Sequence, residues 1–265
     1  MTNMLLGRYI PGDSLIHRLD PRFKLLAMLG LMILVFFLTK ISSYLMLLAF
    51  CLLLISLSQI PLTIFIKGLR PMLMLILFTV ILQLIFSQGD QVIFQLGFLK
   101  LTWEGVNNAV YIFLRFVIII FISTLLTLST QPLALTDGME SLMAAFRRGL
   151  PVHEIALMFS IALRFIPTLS DETQKIMNAQ RSRGVEFSEG HLIERIKKII
   201  PILIPLFISA FNRAFELATA MEARGYQGGE GRSKLNELDW QIRDTWASII
   251  VLLVILVCLA YDKLV

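Results

Sequence analysis

Five stretches of this chain are apolar over the length needed to cross a bilayer, at about 25–39, 41–60, 71–87, 108–129 and 246–261. A span needs about 20 mostly apolar residues to cover roughly 30 Å of hydrocarbon. With 57% hydrophobic and only 16% charged residues among 265, the chain is too apolar for a soluble domain of this size. Lipid or partner proteins must serve as its solvent. The fold class that follows is an all-α integral membrane protein. It has about five transmembrane helices and a polar coupling region of two long amphipathic helices and one short helix.

The polar residues set the orientation. Lys40 to Ser43 is all that separates the first two runs, which suits a tight helical hairpin. Arg8, Arg18, Arg22 and Lys24 precede the first run. Lys67 and Arg70 lie in a second turn, from Ser58-Gln59-Ile60-Pro61 to Pro71. Positive charge marks the cytoplasmic side. The connection from Ser87 to Asn107 has no basic excess and reads as external. Residues 1–129 are therefore an N-terminal segment with four spans, 130–244 are cytoplasmic, and 245–265 hold the last span. The C-terminus is expected outside. The N-terminus offers no short hydrophobic region with a small-residue cleavage site, so no cleaved signal peptide is expected.

Within 130–244 the helical punctuation is readable. A short helix covers roughly 133–148 and ends at Arg147-Arg148-Gly149-Leu150-Pro151. A long helix at about 151–183 carries Ile155, Phe159, Ala162, Ile166, Leu169, Ile176 and Met177, and Pro167 predicts a kink in it. A second, at about 191–223, carries Ile193, Ile196, Ile200, Leu203, Phe207, Phe211, Phe215, Ala218 and Met221 at three- and four-residue spacing. Pro201 and Pro205 predict a bend there.

Several function classes are excluded by what is missing. No phosphate-binding G-x-x-x-x-G-K-[ST] loop and no G-x-S-x-G elbow occurs, and His17, His153 and His191 lack metal-ligand spacing. Neither catalysis nor a metal or cofactor site is predicted. Cys51 and Cys258 lie inside apolar runs and read as small buried hydrophobes. The excess charge of +5 is neither clustered nor interleaved with aromatics, so no nucleic acid is expected as a partner. Arg115 and Gln83 are polar groups inside spans. Arg115 is expected to snorkel or to face another subunit.

The most informative residues are two similar helix ends, Ala179-Gln180-Arg181-Ser182-Arg183-Gly184 and Met221-Glu222-Ala223-Arg224-Gly225-Tyr226. Arginine in a last turn complements the helix dipole and glycine caps the end, which explains either site alone. Two such ends on two long amphipathic helices suggest two receptors, because a guanidinium with fixed donors suits an acidic groove.

These ends resemble the paired X-Arg-Gly motifs of the energy-coupling factor transporter transmembrane component, the T component. His17-Arg18-Leu19-Asp20-Pro21-Arg22-Phe23-Lys24 resembles that family's entry to its first span, and Leu163-Arg164-Phe165-Ile166-Pro167-Thr168-Leu169 its run before the first motif. Ser182 replaces the usual alanine, which Ala223 keeps. The Leu-Asp-Pro-Arg-x-Lys stretch reads as a turn followed by interfacial basic anchors.

The resemblance implies a non-catalytic coupling subunit of a vitamin or micronutrient importer. Its partners would be two cytoplasmic ABC-type ATPases, which bind the ATP, and a separate membrane substrate-binding subunit. Arg183 and Arg224 would be the docking charges, with Ser182, Gly184, Ala223 and Gly225 permitting close contact. The two apolar stripes would transmit motion and look excessively hydrophobic on the isolated chain. The competing expectation is an autonomous transporter or channel with a cytoplasmic helical gate, which would gather polar groups at mid-membrane.

Overall fold

The computed structural model describes residues 9–86, 92–96, 99–143, 152–187, 191–228 and 238–264. The chain divides into two compact units, one formed by residues 7–142 with 238–265 and the other by 143–237 with 1–6. Nearly all described residues are helical. The one addition to an all-α reading is a short antiparallel hairpin, β1 (Val92–Leu96) and β2 (Leu99–Thr102), in the connection read as external.

The first unit is a bundle of α1 (Pro21–Phe37), α2 (Ile41–Ser58), α3 (Leu62–Leu69), α4 (Leu73–Phe86), α5 (Trp103–Ser129), α6 (Pro132–Met143) and α9 (Ile242–Leu264). α5 packs against α1, α2, α3 and α4, and α9 closes the bundle against α1 and α2. The core is built from Leu31, Leu34, Val35, Leu38, Tyr44, Leu47, Cys51, Ile118, Ile122 and Cys258, all buried. Both cysteines are free and buried, as expected of small hydrophobes.

Five helical segments among the described residues are long and apolar enough to cross a membrane: Ile41–Ser58, Leu62–Phe86, Trp103–Ser129, Ile196–Ala223 and Ile242–Lys263. The number matches the expectation, but the membership differs. α1 has 17 residues, the short end of what crosses hydrocarbon, although its core residues pack into the same bundle. A second difference is the turn read at 58–71. After Gln59 turns left-handed at φ 59°, Leu62–Leu69 forms α3, and a single 3-10 turn at Arg70–Met72 carries the chain into α4. Lys67, Gly68, Arg70 and Pro71 look like loop punctuation. The decisive residue is Phe65, fully buried with its ring 6.0 Å from Phe121, so tertiary packing overrides the local signal.

Hydrogen bonds from distant parts of the chain clamp both ends of this bundle. At the end where α1 begins, the Asp20 carboxylate accepts from Arg22 N–H at 2.7 Å and caps the helix, with Pro21 at its first position. Asp20 N–H donates to Asp244 Oδ1 at 2.9 Å, and Arg22 Nη2 donates to the Leu238 carbonyl. Lys24 Nζ donates to the carbonyls of His17 and Ser129 and to Thr130 Oγ1. It thus satisfies the last turn of α5, where carbonyls lack helical partners. The Leu-Asp-Pro-Arg-x-Lys stretch is therefore a structural lock. Lys24 is buried within it and is not the interfacial anchor expected, because three oxygens compensate its desolvation.

At the other end the Asp262 carboxylate takes the N-terminus of α2. Thr39 N–H and Lys40 N–H donate to it at 3.2 and 3.0 Å, and Thr39 Oγ1 and Ser43 Oγ at 2.8 and 3.0 Å. An anion there satisfies orphan donors and meets the positive end of the helix dipole.

Arg115 proves to belong to this same end. Its Nη2 donates to the Tyr44 hydroxyl at 2.8 Å, and its guanidinium lies 5.2 Å from the centre of the Phe36 ring. The Tyr44 hydroxyl in turn reaches the carbonyls of Val35 and Leu38 at the end of α1. Arg115 is thus level with the turn between α1 and α2 and is held inside the chain. Neither snorkelling nor another subunit is needed to account for it.

The second unit contains α7 (Val152–Ser182) and α8 (Leu192–Ala223), which pack against one another. These bounds lie within a residue or so of those read from periodicity. Each helix continues through its prolines, Pro167 in α7 and Pro201 and Pro205 in α8. The helix end read at 147–151 lies outside the described residues.

Candidate docking site at two helix ends

Both predicted site motifs are helix C-termini of the same construction. In α7 the backbone N–H of Gly184 donates to the Arg181 carbonyl at 2.9 Å, and that of Val185 to Gln180 at 3.1 Å. In α8 Gly225 N–H donates to Glu222 at 2.9 Å and Tyr226 N–H to Met221 at 3.0 Å. Each pair of bonds spans the same offsets and satisfies carbonyls that the helix leaves open. The glycines hold the left-handed conformation this closure requires, with φ +85° at Gly184 and +76° at Gly225.

An added Cβ would meet nothing within 4 Å at either glycine. Within this chain their role is conformational, a different reason from the close contact expected of them. Ser182, Arg183, Gly184, Ala223, Arg224 and Gly225 are all exposed. Among the described residues neither the Arg183 nor the Arg224 guanidinium has a hydrogen-bond or ion-pair partner. Each arginine is therefore a cation presented at the tip of a capped, well-defined helix end, which suits recognition of a carboxylate on another protein.

The predicted stripe on α8 is open. Ile193, Ile196, Ile200, Leu203, Phe207, Phe211 and Phe215 are all exposed, up to 70% at Ile193. On α7 only the early part of the stripe, Ile155, Phe159 and Ala162, is exposed, and Ile166, Leu169, Ile176 and Met177 are half-buried. A row of exposed large apolar side chains on one helix exceeds what an isolated surface carries without a covering partner or lipid.

One contact in this unit was not read from the sequence. Arg213 Nη2 of α8 donates to Glu172 Oε2 of α7 at 2.9 Å. Hydrogen bonding with Ser209 and Arg213 holds the Glu172 carboxyl below the usual carboxylate range. A lowered value means the bonded carboxylate persists at all pH above that range and is lost only as pH falls through the lowered value. The sequence signal was present as a repeated spacing: Glu172 lies eleven residues before Arg183 and Arg213 eleven before Arg224.

With this geometry in hand, similarity to known proteins identifies the family. Residues 12–235 match the family model described as cobalt transport protein. Over 264 residues the chain is 53% identical to the energy-coupling factor transporter transmembrane protein of Lactococcus lactis subsp. cremoris, covering 99% of each chain. This chain belongs to the family of energy-coupling factor transporter transmembrane components. Relatives of the same description in Streptococcus equi subsp. equi and Bacillus subtilis are 56% and 49% identical over 262 residues each. Those matches cover 98% of this chain and 97% and 98% of the relatives. As a member of the T component family the chain is a multi-pass membrane protein of a transporter, and the two capped arginine ends fall inside the span that the family model matches.

Proposed function

We propose that the chain is the transmembrane coupling subunit of an energy-coupling factor importer. It transmits the ATP-driven motion of two cytoplasmic ABC-type ATPases to a membrane-embedded subunit that binds a vitamin or other micronutrient. It is not itself an enzyme, and ATP is held by the partners. The N-terminus and the region 130–244 lie on the cytoplasmic side and the C-terminus outside.

The observation that carries this reading is the duplication of one helix-end geometry, each copy presenting an unpaired arginine, on two helices that touch. Arg183 and Arg224 dock one ATPase each, and Ser182, Gly184, Ala223 and Gly225 shape the ends around them. The exposed stripe of α8 together with the early part of α7 receives the substrate-binding subunit. α8 is apolar enough to cross a membrane, yet its last turns carry Arg213, Glu216, Glu222 and Arg224. That polar end favours a helix running from apolar surroundings out to water.

Affinity purification of the chain from its own membrane in mild detergent, followed by mass spectrometry, tests the assignment. Two nucleotide-binding ATPases and a small hydrophobic binding protein should accompany it. Recovery of the chain alone and intact would overturn it and leave an autonomous transporter as the better reading.

A further inference from the structure

We propose that the cavity between α2 and α9 holds an acyl chain of an anionic phospholipid, whose phosphate is taken by Arg243 at the mouth. The site lies wholly within the first unit and stands whether or not the chain couples ATPases.

The cavity, about 430 Å³, is framed by residues 23–31 of α1, 50–57 of α2, 121–129 of α5 and 243–251 of α9. The clamps of the bundle explain where it opens. At one end Asp262 ties α9 to α2, whereas at the other Asp244 and the Leu238 carbonyl tie the start of α9 to the start of α1. Among the described residues no hydrogen bond joins α9 to α2 at this second end, and the space left there is the cavity. Its rim is exposed at Leu53 and Leu57 of α2 and at Trp246 and Ile250 of α9, and its floor is buried at Leu31, Cys51 and Phe121. The opening thus runs along the flank of two helices apolar enough to cross a membrane, where lipid reaches it.

Height and polarity both match a lipid of one leaflet. Each framing run climbs seven or eight residues, about 12 Å at 1.5 Å per residue. One leaflet contributes about 15 Å of hydrocarbon, half of a core roughly 30 Å thick. The lining is apolar apart from Lys24, Ser129 and Arg243, and all three stand at the end where α1 and α9 begin and α5 finishes. Lys24 gives its amino group to His17, Ser129 and Thr130. Arg243 is exposed and, among the described residues, has no hydrogen-bond or ion-pair partner. Its guanidinium suits a phosphate. Trp246 follows one turn later on the same face, as tryptophan does at headgroup level. A partner's helix fits less well, because to enter it must spread α2 from α9, which touch and are pinned by Asp262.

The test uses the full chain with Trp103→Phe and Trp240→Phe, which leaves Trp246 as the single tryptophan of three. It is reconstituted in vesicles of phosphatidylcholine and phosphatidylglycerol, with bromine on the acyl chains of one lipid or the other. Quenching of Trp246 then reports which lipid occupies the mouth. Brominated phosphatidylglycerol should act with an apparent affinity about fivefold above that of brominated phosphatidylcholine, the ratio one arginine gives at a membrane surface. Arg243→Gln should bring the ratio close to one. Ala27→Phe and Ala247→Leu, which fill the lining on α1 and α9 and keep Arg243, should each lower it too.

Equal quenching by the two lipids, or a preference that survives Arg243→Gln, would overturn the site. A preference lost in Arg243→Gln yet unchanged in both filled variants would also overturn it, since the lipid would then sit on surface charge outside the cavity. Weak quenching by either lipid would show the mouth shut or covered by a second copy of the chain, and would equally remove the proposal.

Discussion

Replacing Gly184 or Gly225 by alanine and by asparagine separates two reasons for a glycine beside each arginine. Both glycines sit at positive φ, and neither has an atom of the chain within 4 Å of where a Cβ would stand. The cost of alanine is therefore conformational, about 1–2 kcal/mol for an L residue forced into the left-handed region. That energy is spent by opening the two backbone bonds at the helix end and letting the arginine's backbone fray. If docking requires the closed end, affinity for the ATPases falls by about 5- to 30-fold per site. Asparagine tolerates the left-handed conformation better, so it should lose clearly less than alanine in spite of its larger side chain.

The assay is equilibrium binding of the purified ATPase pair to the detergent-solubilised chain, with membrane insertion checked for each variant. If asparagine proved as damaging as alanine or worse, the glycine would be required for close approach of the partner, and the conformational argument would be refuted. Wild-type affinity for both alanine variants would refute both reasons.

Two further predictions concern the clamps of the bundle. Asp262→Ala should remove the trans cap of α2 and destabilise the chain by about 1 kcal/mol, seen as a lower thermal midpoint in detergent, and an unchanged midpoint would show that the four donors find water equally well. Tyr44→Phe should cost about 1–3 kcal/mol by stripping a charged hydrogen bond from Arg115, and the same thermal assay would contradict the internal role of Arg115 if it registered no loss.

The helices were legible because each carries a signal that local physics enforces. Apolar runs located α2, α5 and α9, and the arginine-glycine pairs marked the ends of α7 and α8 to within a residue. α3 was not legible because Gly68 and Pro71 speak for a loop, while the burial of Phe65 against Phe121 depends on contacts more than fifty residues away. The same holds for Asp244 and Asp262, whose partners lie at the opposite end of the chain. Arg115 illustrates how position along a helix misleads about depth. It stands well inside α5, yet its partners Tyr44 and Phe36 place it beside the turn between α1 and α2. At the candidate site the residue types and their order were readable, and the φ angles that explain the glycines were not. The ion pair between α7 and α8 left only the eleven-residue spacing from each member to its arginine as a trace, and nothing local in the sequence marks the two residues as partners.

The central claim is that the two arginine ends attach this chain to its motors. Its most direct test is Arg183→Glu combined with Arg224→Glu, measured by co-purification of the ATPases with the membrane-inserted chain. The account predicts that the double reversal abolishes association while insertion is retained, and that either single change is milder because the remaining site still benefits from the shared attachment. Full association in the inserted double variant would contradict it and remove both arginines from the coupling role.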